Sequence, residues 1–301
     1  MDLEKLKQEK KLEELINFGI LIINKPSNWT SFDVVAKVRN LLKDFKLKKA
    51  GHFGTLDPNV TGVLPIGLGD TCKIQNHFMK KNKTYIGKMK LHKKVSEQQL
   101  VNSMKEFIGK INQLPPVKSS VKRKLRQREV IRFELVKYNE NESEFIAEVE
   151  AGTYIRKLVH DIGENLKIGA HMTELHRIQA GLFSEKDKEY CSLEDLSNAI
   201  EEYKNGSESK LRNLIVPGEV ILKLLPVFEV KSEFIEKLMN GSPLFKEMLE
   251  NQEDIEKIKS IKTPFCLISN DTLIETSVIT SQFKNKDILA KPEQVLYKQK
   301  P

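Results

Sequence analysis

The sequence predicts an α+β fold: a mainly antiparallel mixed sheet flanked by helices, followed by a smaller β-rich unit. Three observations carry that reading. Segments of strand and helix periodicity interleave without a strict βαβ repeat, which argues against a doubly wound parallel sheet. The 301 residues, 39% of them hydrophobic, are enough for two cores. Near Pro217 the texture changes, as the basic excess stops and short apolar stretches such as 222–230 and 264–269 alternate with polar, charged turns. The implied units are an N-terminal extension (1–18), a main domain (19–216) and a small domain (217–301).

The elements follow in order. Residues 1–14 alternate Lys and Glu with Leu and lack the apolar stretch of a secretory leader, so they read as a surface helix. Residues 19–24 are a continuous apolar strand, turned by Lys25, Pro26, Ser27 and Asn28. Ser31 is placed to cap a helix that gathers Val34, Val35, Val38, Leu41, Leu42 and Phe45 on one face. Residues 84–91 alternate as a strand, and Ser96 with Gln99 forms a capping box ahead of Leu100, Met104 and Phe107. Residues 130–137 and 145–149 alternate around a turn at 139–141, the pattern of a β-hairpin covered on one side. Thr153 precedes a helix that buries Ile155, Leu158, Val159, Ile162 and Leu166. The stretch holding His171, Glu174 and His176 is read as helical, which turns the two imidazoles away from a shared face and argues against a metal site. Residues 201–210 are polar enough for a mobile loop.

Composition narrows the function classes. No apolar run reaches the roughly 18 residues needed to span a bilayer, so a cytoplasmic protein without membrane contact is expected. Cys72, Cys191 and Cys266 are far apart and lack metal or disulfide spacing, which predicts ordinary buried thiols. The net charge of +8 lies wholly before Pro217, since residues 217–301 hold 12 Lys/Arg against 13 Asp/Glu. Lys118, Lys122, Arg123, Lys124, Arg126 and Arg128 put six cations into eleven residues, following the stiff lead-in at 114–117. Such a strip attracts phosphates through counterion release and marks a candidate RNA-binding surface.

The most informative segment runs from Gly51 through Asp57 and Pro58 to Pro65, Gly-His-Phe-Gly-Thr-Leu-Asp-Pro-Asn-Val-Thr-Gly-Val-Leu-Pro. Glycines lend backbone freedom around Asp57, while Pro58 biases that residue away from the helical region. A single carboxylate held at one angle suggests a nucleophile. This string resembles the catalytic motif of the TruB-type pseudouridine synthases, the family that includes dyskerin and its archaeal relatives. Lys83-Thr84-Tyr85, Gly152-Thr153-Tyr154-Ile155-Arg156 and Glu174-Leu175-His176-Arg177 resemble three further family motifs, the last with His at one position. The segment 115–119 resembles another, and the resemblance extends from about Gly19 to Phe183.

The resemblance implies an RNA-modifying isomerase that needs no cofactor and no metal. Asp57 would be the nucleophile, attacking either the sugar carbon or the base ring, with Arg156 sustaining its charge in a desolvated pocket. Tyr85 would lie under the flipped uracil and handle the ring proton. Tyr154 and Leu175 would line the pocket, and His52 would contact the RNA nearby. A bacterial-type insertion after Tyr85 is missing, a feature shared with the archaeal and eukaryotic branch. Members of that branch are guided by H/ACA RNA and act on ribosomal RNA with small accessory proteins. A PUA domain, a small β-barrel, would occupy residues 217–301. Two alternatives stay open: a stand-alone enzyme for the T-loop uridine of tRNA, and a non-catalytic RNA-binding scaffold.

Overall fold

The computed structural model describes residues 1–115, 123–140, 142–279 and 287–296. The helices are α1 (Leu3–Glu9), α2 (Leu12–Asn17), α3 (Ser31–Leu41), α4 (Gln75–Met79), α5 (Glu97–Glu106), α6 (Ile155–Asn165), α7 (Leu193–Lys204), α8 (Ser209–Leu214), α9 (Ile235–Met239) and α10 (Asp254–Ser260). The strands of the first sheet are β1 (Gly19–Lys25), β2 (Ala50–His52), β3 (Thr61–Leu68), β4 (Lys83–Leu91), β5 (Gly109–Gln113), β6 (Arg126–Lys137), β7 (Glu142–Val149), β8 (Ala170–Ala180), β9 (Phe183–Ser184), β10 (Tyr190–Cys191) and β11 (Ile215–Pro217). The second sheet comprises β12 (Val227–Glu229), β13 (Leu244–Phe245), β14 (Phe265–Ser269), β15 (Thr272–Ile279) and β16 (Ile288–Val295).

Among the described residues the first sheet runs β10-β1-β3-β8-β4-β7-β6-β5, with β11 on β1, β2 on β3 and β9 on β8. The β1–β10 and β3–β8 pairs are parallel and the remaining pairs antiparallel, as expected for a mainly antiparallel mixed sheet. The continuous apolar run of β1 has a clear cause: both of its faces are covered. Leu21 and Ile23 enter the core under the helices, while Ile20 and Ile22 enter a second core on the opposite side. In β4 and β7, buried and less buried positions alternate, so one face is packed and the other is open. The hairpin β6–β7 and the Ser96–Gln99 capping box form as the sequence predicts.

Four local expectations are corrected. The helix at 31 is capped by Thr30, which forms the capping box with Asp33, while the Ser31 hydroxyl turns inward to Leu56. The 170–180 segment is a strand and not a helix, because β4 pairs along its whole length and β3 along part of it. Residues 201–210 continue α7 and open α8.

The N-terminal segment is two packed helices in place of one surface helix. Leu12, Leu15 and Ile16 are buried, and the Lys7 ammonium donates to Glu189 at 3.0 Å and to the Asn213 carbonyl at 2.8 Å. Arg212 closes the latch by donating to the carbonyls of Lys7 and Lys10, both at 2.7 Å.

Beyond Pro217, residues 218–223 form a 3-10 turn packed on Phe18 and Thr71, and the second sheet begins at Val227. Its order is β12-β14-β15-β16-β13, antiparallel apart from β12–β14. Phe228, Phe265, Leu267, Ile274 and Leu289 form its own core. Cys191 and Cys266 are buried thiols, whereas Cys72 is half-buried and donates weakly to the Gly67 carbonyl at 3.4 Å. Among the described residues no helix is long and apolar enough to cross a membrane.

Candidate active site

The loop between β2 and β3 carries Asp57 on its exposed crest, and its two ends are held close by pairing of His52 with Ile66. Gly54 (φ 137°) and Gly62 (φ 102°) take backbone conformations that other residues rarely adopt. At Gly62 a side chain is also excluded by space, since a Cβ there would fall 2.3 Å from the Arg177 carbonyl on the paired strand β8.

Four side chains fix the loop from below. Arg177 is fully buried and donates from Nε to the Val63 carbonyl at 2.8 Å and from Nη2 to the Gly54 carbonyl at 3.0 Å, tying exit to entrance. Lys25 is equally buried, and its ammonium donates to the carbonyls of Pro26 (2.7 Å), Trp29 (2.6 Å) and Pro58 (2.8 Å). Burial pushes the Lys25 ammonium below its ordinary pKa, while the charges of Asp57 and Asp33 act to raise it. The Ser31 hydroxyl donates to the Leu56 carbonyl (3.1 Å) and accepts from its N–H (2.9 Å), satisfying the backbone just before Asp57. Thr61 shares a 2.7 Å hydrogen bond with His176 Nδ1, whose Nε2 meets Glu185 at 2.9 Å.

Sequence reading passed over Lys25 and Arg177 as structural determinants. Arg177 had a signal in the last residue of the Glu-Leu-His-Arg match. Lys25 had none, since a lysine before Pro26 reads as an ordinary turn residue.

The residues expected to act together converge in part. Arg156, at the start of α6, donates from Nη2 to Asp57 Oδ2 at 2.7 Å. The pair is open to water, with side-chain exposures of 58% and 57%, so the protein's own side chains do not form the desolvated pocket that was expected. Tyr85 is nearly buried and pairs across β4–β8 with Arg177, whose guanidinium spans to the loop at Gly54. In the same motif, burial and then the charge of Arg177 push the Lys83 ammonium down to about 8, and it donates to the carbonyls of Met79 and Lys81.

His52 precedes the crest, and burial followed by the charge of Arg177 holds its imidazole below the ordinary pKa. Tyr154 caps α6, its N–H and carbonyl both bonded to the buried Gln113 side chain. Leu175 lines a cavity of about 490 Å3 with Asn59 and Thr61 from the loop's exit, Ile86 from β4 and His176 from β8. The cavity therefore opens along the uncovered face of β4 and β8, beside the crest.

The basic strip is not one continuous surface. Lys118 and Lys122 lie outside the described residues. Arg123 and Lys124 are exposed, and Arg126 is half-buried at the start of β6. Arg128 packs against the Gly152 turn, where its guanidinium would lie 3.2 Å from a Cβ, and it faces Glu150 at 3.5 Å. His171 shares a 2.7 Å hydrogen bond with His92, and among the described residues no group of three potential metal ligands occurs.

The chain is similar to known proteins in sequence and in fold. Residues 42–155 match the family model described as TruB family pseudouridylate synthase (N terminal domain), and residues 156–223 match that of the tRNA pseudouridylate synthase B C-terminal domain. A protein of Methanopyrus kandleri named "Probable tRNA pseudouridine synthase B" is 41% identical over 238 residues, covering 79% of this chain and 69% of that one. The protein of the same name in Methanocaldococcus jannaschii gives the same identity and coverage. Among solved structures, a Cbf5-Nop10-Gar1 complex contains a chain that superposes with a TM-score of 0.85 at 34% identity, covering 97% of this chain and 88% of that one. An H/ACA RNP bound to a substrate RNA containing 2'-deoxyuridine gives 0.82 at 32% identity, with 97% and 89% covered.

Proposed function

Because this chain belongs to the TruB family of pseudouridylate synthases, we propose that it isomerises uridine in RNA with Asp57 as the nucleophile, guided by an H/ACA RNA to ribosomal RNA. The observation that carries the site assignment is the 2.7 Å hydrogen bond from Arg156 to Asp57 on a loop clamped by Lys25, Ser31 and Arg177. Isomerisation breaks the bond between N1 and the sugar carbon C1′, turns the uracil, and joins C5 to C1′. The C5 proton is lost and N1 gains one, so atoms balance without a cofactor. Asp57 supplies the transient covalent partner, through C1′ or through the ring, and Arg156 orients its carboxylate. Tyr85 sits beneath the base and serves the C5 proton, while Leu175, Tyr154 and His52 surround the extruded nucleotide. RNA closing over the exposed pair would supply the exclusion of water that the protein alone does not provide.

Guided action is favoured by the likeness of nearly the whole chain to Cbf5 from complexes with Nop10, Gar1 and H/ACA RNA, from which we infer a guide RNA and small accessory proteins as partners. We propose the division at 1–18, 19–216 and 217–301, with the second sheet as the open part of a PUA-like barrel that grips RNA. The curated relatives favour the second reading, a stand-alone enzyme for tRNA, through their name. Incubating the purified protein with a tRNA transcript, with and without guide RNA and accessory proteins, separates the two. Efficient conversion of the T-loop uridine by the protein alone would overturn the guided reading. The scaffold reading is disfavoured by the bonded pair of Asp57 and Arg156, and by Tyr85 paired with the Arg177 that braces the same loop.

A further inference from the structure

Phe32 is 74% exposed, more than any other large apolar side chain among the described residues. Single exposed apolar residues are common and need no function. The surroundings of Phe32 set it apart. It lies in the first turn of α3, directly after Ser31, whose hydroxyl grips both backbone polar groups of Leu56, the neighbour of Asp57. The turn before it and the catalytic loop meet at one ammonium, since Lys25 donates to the carbonyls of both Trp29 and Pro58. The phenyl ring therefore cannot drift far from the nucleophile.

Its contact is equally specific. The ring meets His52 edge to face, with centroids 5.4 Å apart and planes at 80°. Burial and the Arg177 charge lower the pKa of that imidazole, and its buried Nδ1 has no hydrogen-bond partner among the described residues. The result is a right-angled aromatic corner with one apolar face in water. A nucleobase fits this chemistry, since it offers a flat π-face for the exposed phenyl ring. A phosphate would gain nothing from either ring. Extruding a uridine toward Asp57 strips its neighbour of a stacking partner, and the uncovered face needs a new one.

We propose that Phe32, backed by His52, is a stacking platform for the nucleotide adjacent to the extruded uridine, an inference that rests on the pseudouridine synthase reading. The platform tolerates any base at that position, because every base has a π-face. Phe32 thus acts as a positioning residue: it holds the flanking strand while the target is turned out.

The test uses the full chain, supplied with guide RNA and accessory proteins, and an 11-nucleotide substrate RNA with a central uridine and 2-aminopurine on its 5′ or its 3′ side. The wild type should quench one of the two probes on binding. Phe32→Ala should lose most of that quenching and weaken binding by about 5- to 150-fold, the range of base–aromatic stacking. Phe32→Trp should keep both, and matching melting temperatures would show that the variants are folded. Wild-type quenching and affinity in Phe32→Ala would overturn the platform, as would affinity loss with quenching unchanged. So would intact RNA binding combined with loss of protein-partner binding. The two inferences fail separately: a protein that quenches yet makes no pseudouridine with guide RNA and accessory proteins present refutes the enzyme reading, and one that converts uridine under those conditions while Phe32→Ala quenches normally refutes the platform.

Discussion

At Asp57 the structure joins a reactive group to its supports by short, nameable bonds. The carboxylate faces water and accepts from Arg156, while the backbone on either side is held through Leu56 and Pro58. Asp57→Asn keeps the shape and removes the nucleophile, so pseudouridine formation should vanish while RNA affinity stays within a few-fold. A nucleoside composition assay alongside a binding isotherm checks both, and surviving activity would end the site assignment. Lys25 makes a different prediction. Lys25→Met leaves three loop carbonyls without their buried donor, which should cost about 1–3 kcal/mol of stability. Urea unfolding reads that loss. Turnover should fall more than RNA affinity, because the loop is misplaced and no phosphate contact is lost.

Among the elements, β8 and the basic strip show how context overrides local pattern. Strand β8 pairs with β4 along nine positions and also touches β3 and β9, so it carries Leu175 to the cavity and Arg177 beneath the loop. Within the strip, Arg123 and Lys124 face solvent, whereas Arg128 is packed at the Gly152 turn. Replacing Lys122, Arg123 and Lys124 by Ala should therefore flatten the salt dependence of RNA binding by up to about three units of logarithmic slope. An unchanged slope would place these cations away from RNA. Arg128→Ala should behave otherwise, lowering the melting temperature with little change in slope, since its guanidinium supports the turn that leads into Tyr154.

For the molecule as a whole, the second sheet is docked on the first through a shared core. Phe53 stacks on Phe78, which meets Phe183 at a tilt, and the three rings pack with Ile221, Cys266, Leu273 and Leu296. Lys73 donates to the Val295 carbonyl at 3.0 Å, and His77 meets Glu293 at 3.0 Å across the same contact. Within the second sheet, Glu275 is fully buried: Oε1 accepts from Ser277 at 2.5 Å, and Oε2 has no partner among the described residues. Burial pushes its carboxyl up to about 7 from an ordinary 4.5, against the opposing effect of the Ser277 bond. A folded-state value above the unfolded one means that the contribution of Glu275 is full below about pH 4.5. It is lost as pH rises through about 7, to an extent on the order of a few kcal/mol. Melting curves at pH 5 and pH 8 should show the decline in the wild type and its absence in Glu275→Gln. Equal pH dependence in both proteins would assign the effect elsewhere.

Much of this protein is written in local pattern. The apolar run of β1, the capping box at Ser96 and the β6–β7 hairpin depend on residues near in sequence, where periodicity and side-chain chemistry act directly. The loop at Asp57 was also legible, because Gly54, Pro58 and Gly62 constrain backbone angles residue by residue. Tertiary structure decided what depends on distant partners. Residues 170–180 read as a helix in isolation, and β4 made them a strand by supplying hydrogen bonds along the whole segment. The charged N-terminal helices looked solvent-facing until Glu189, Asn213 and Arg212 gave Lys7 and its carbonyl buried partners. Lys25 and Arg177 became visible as the braces of the loop when folding brought Pro58, Gly54 and Val63 within reach of their donors, since buried cations are specified by the acceptors around them and not by their place in the chain.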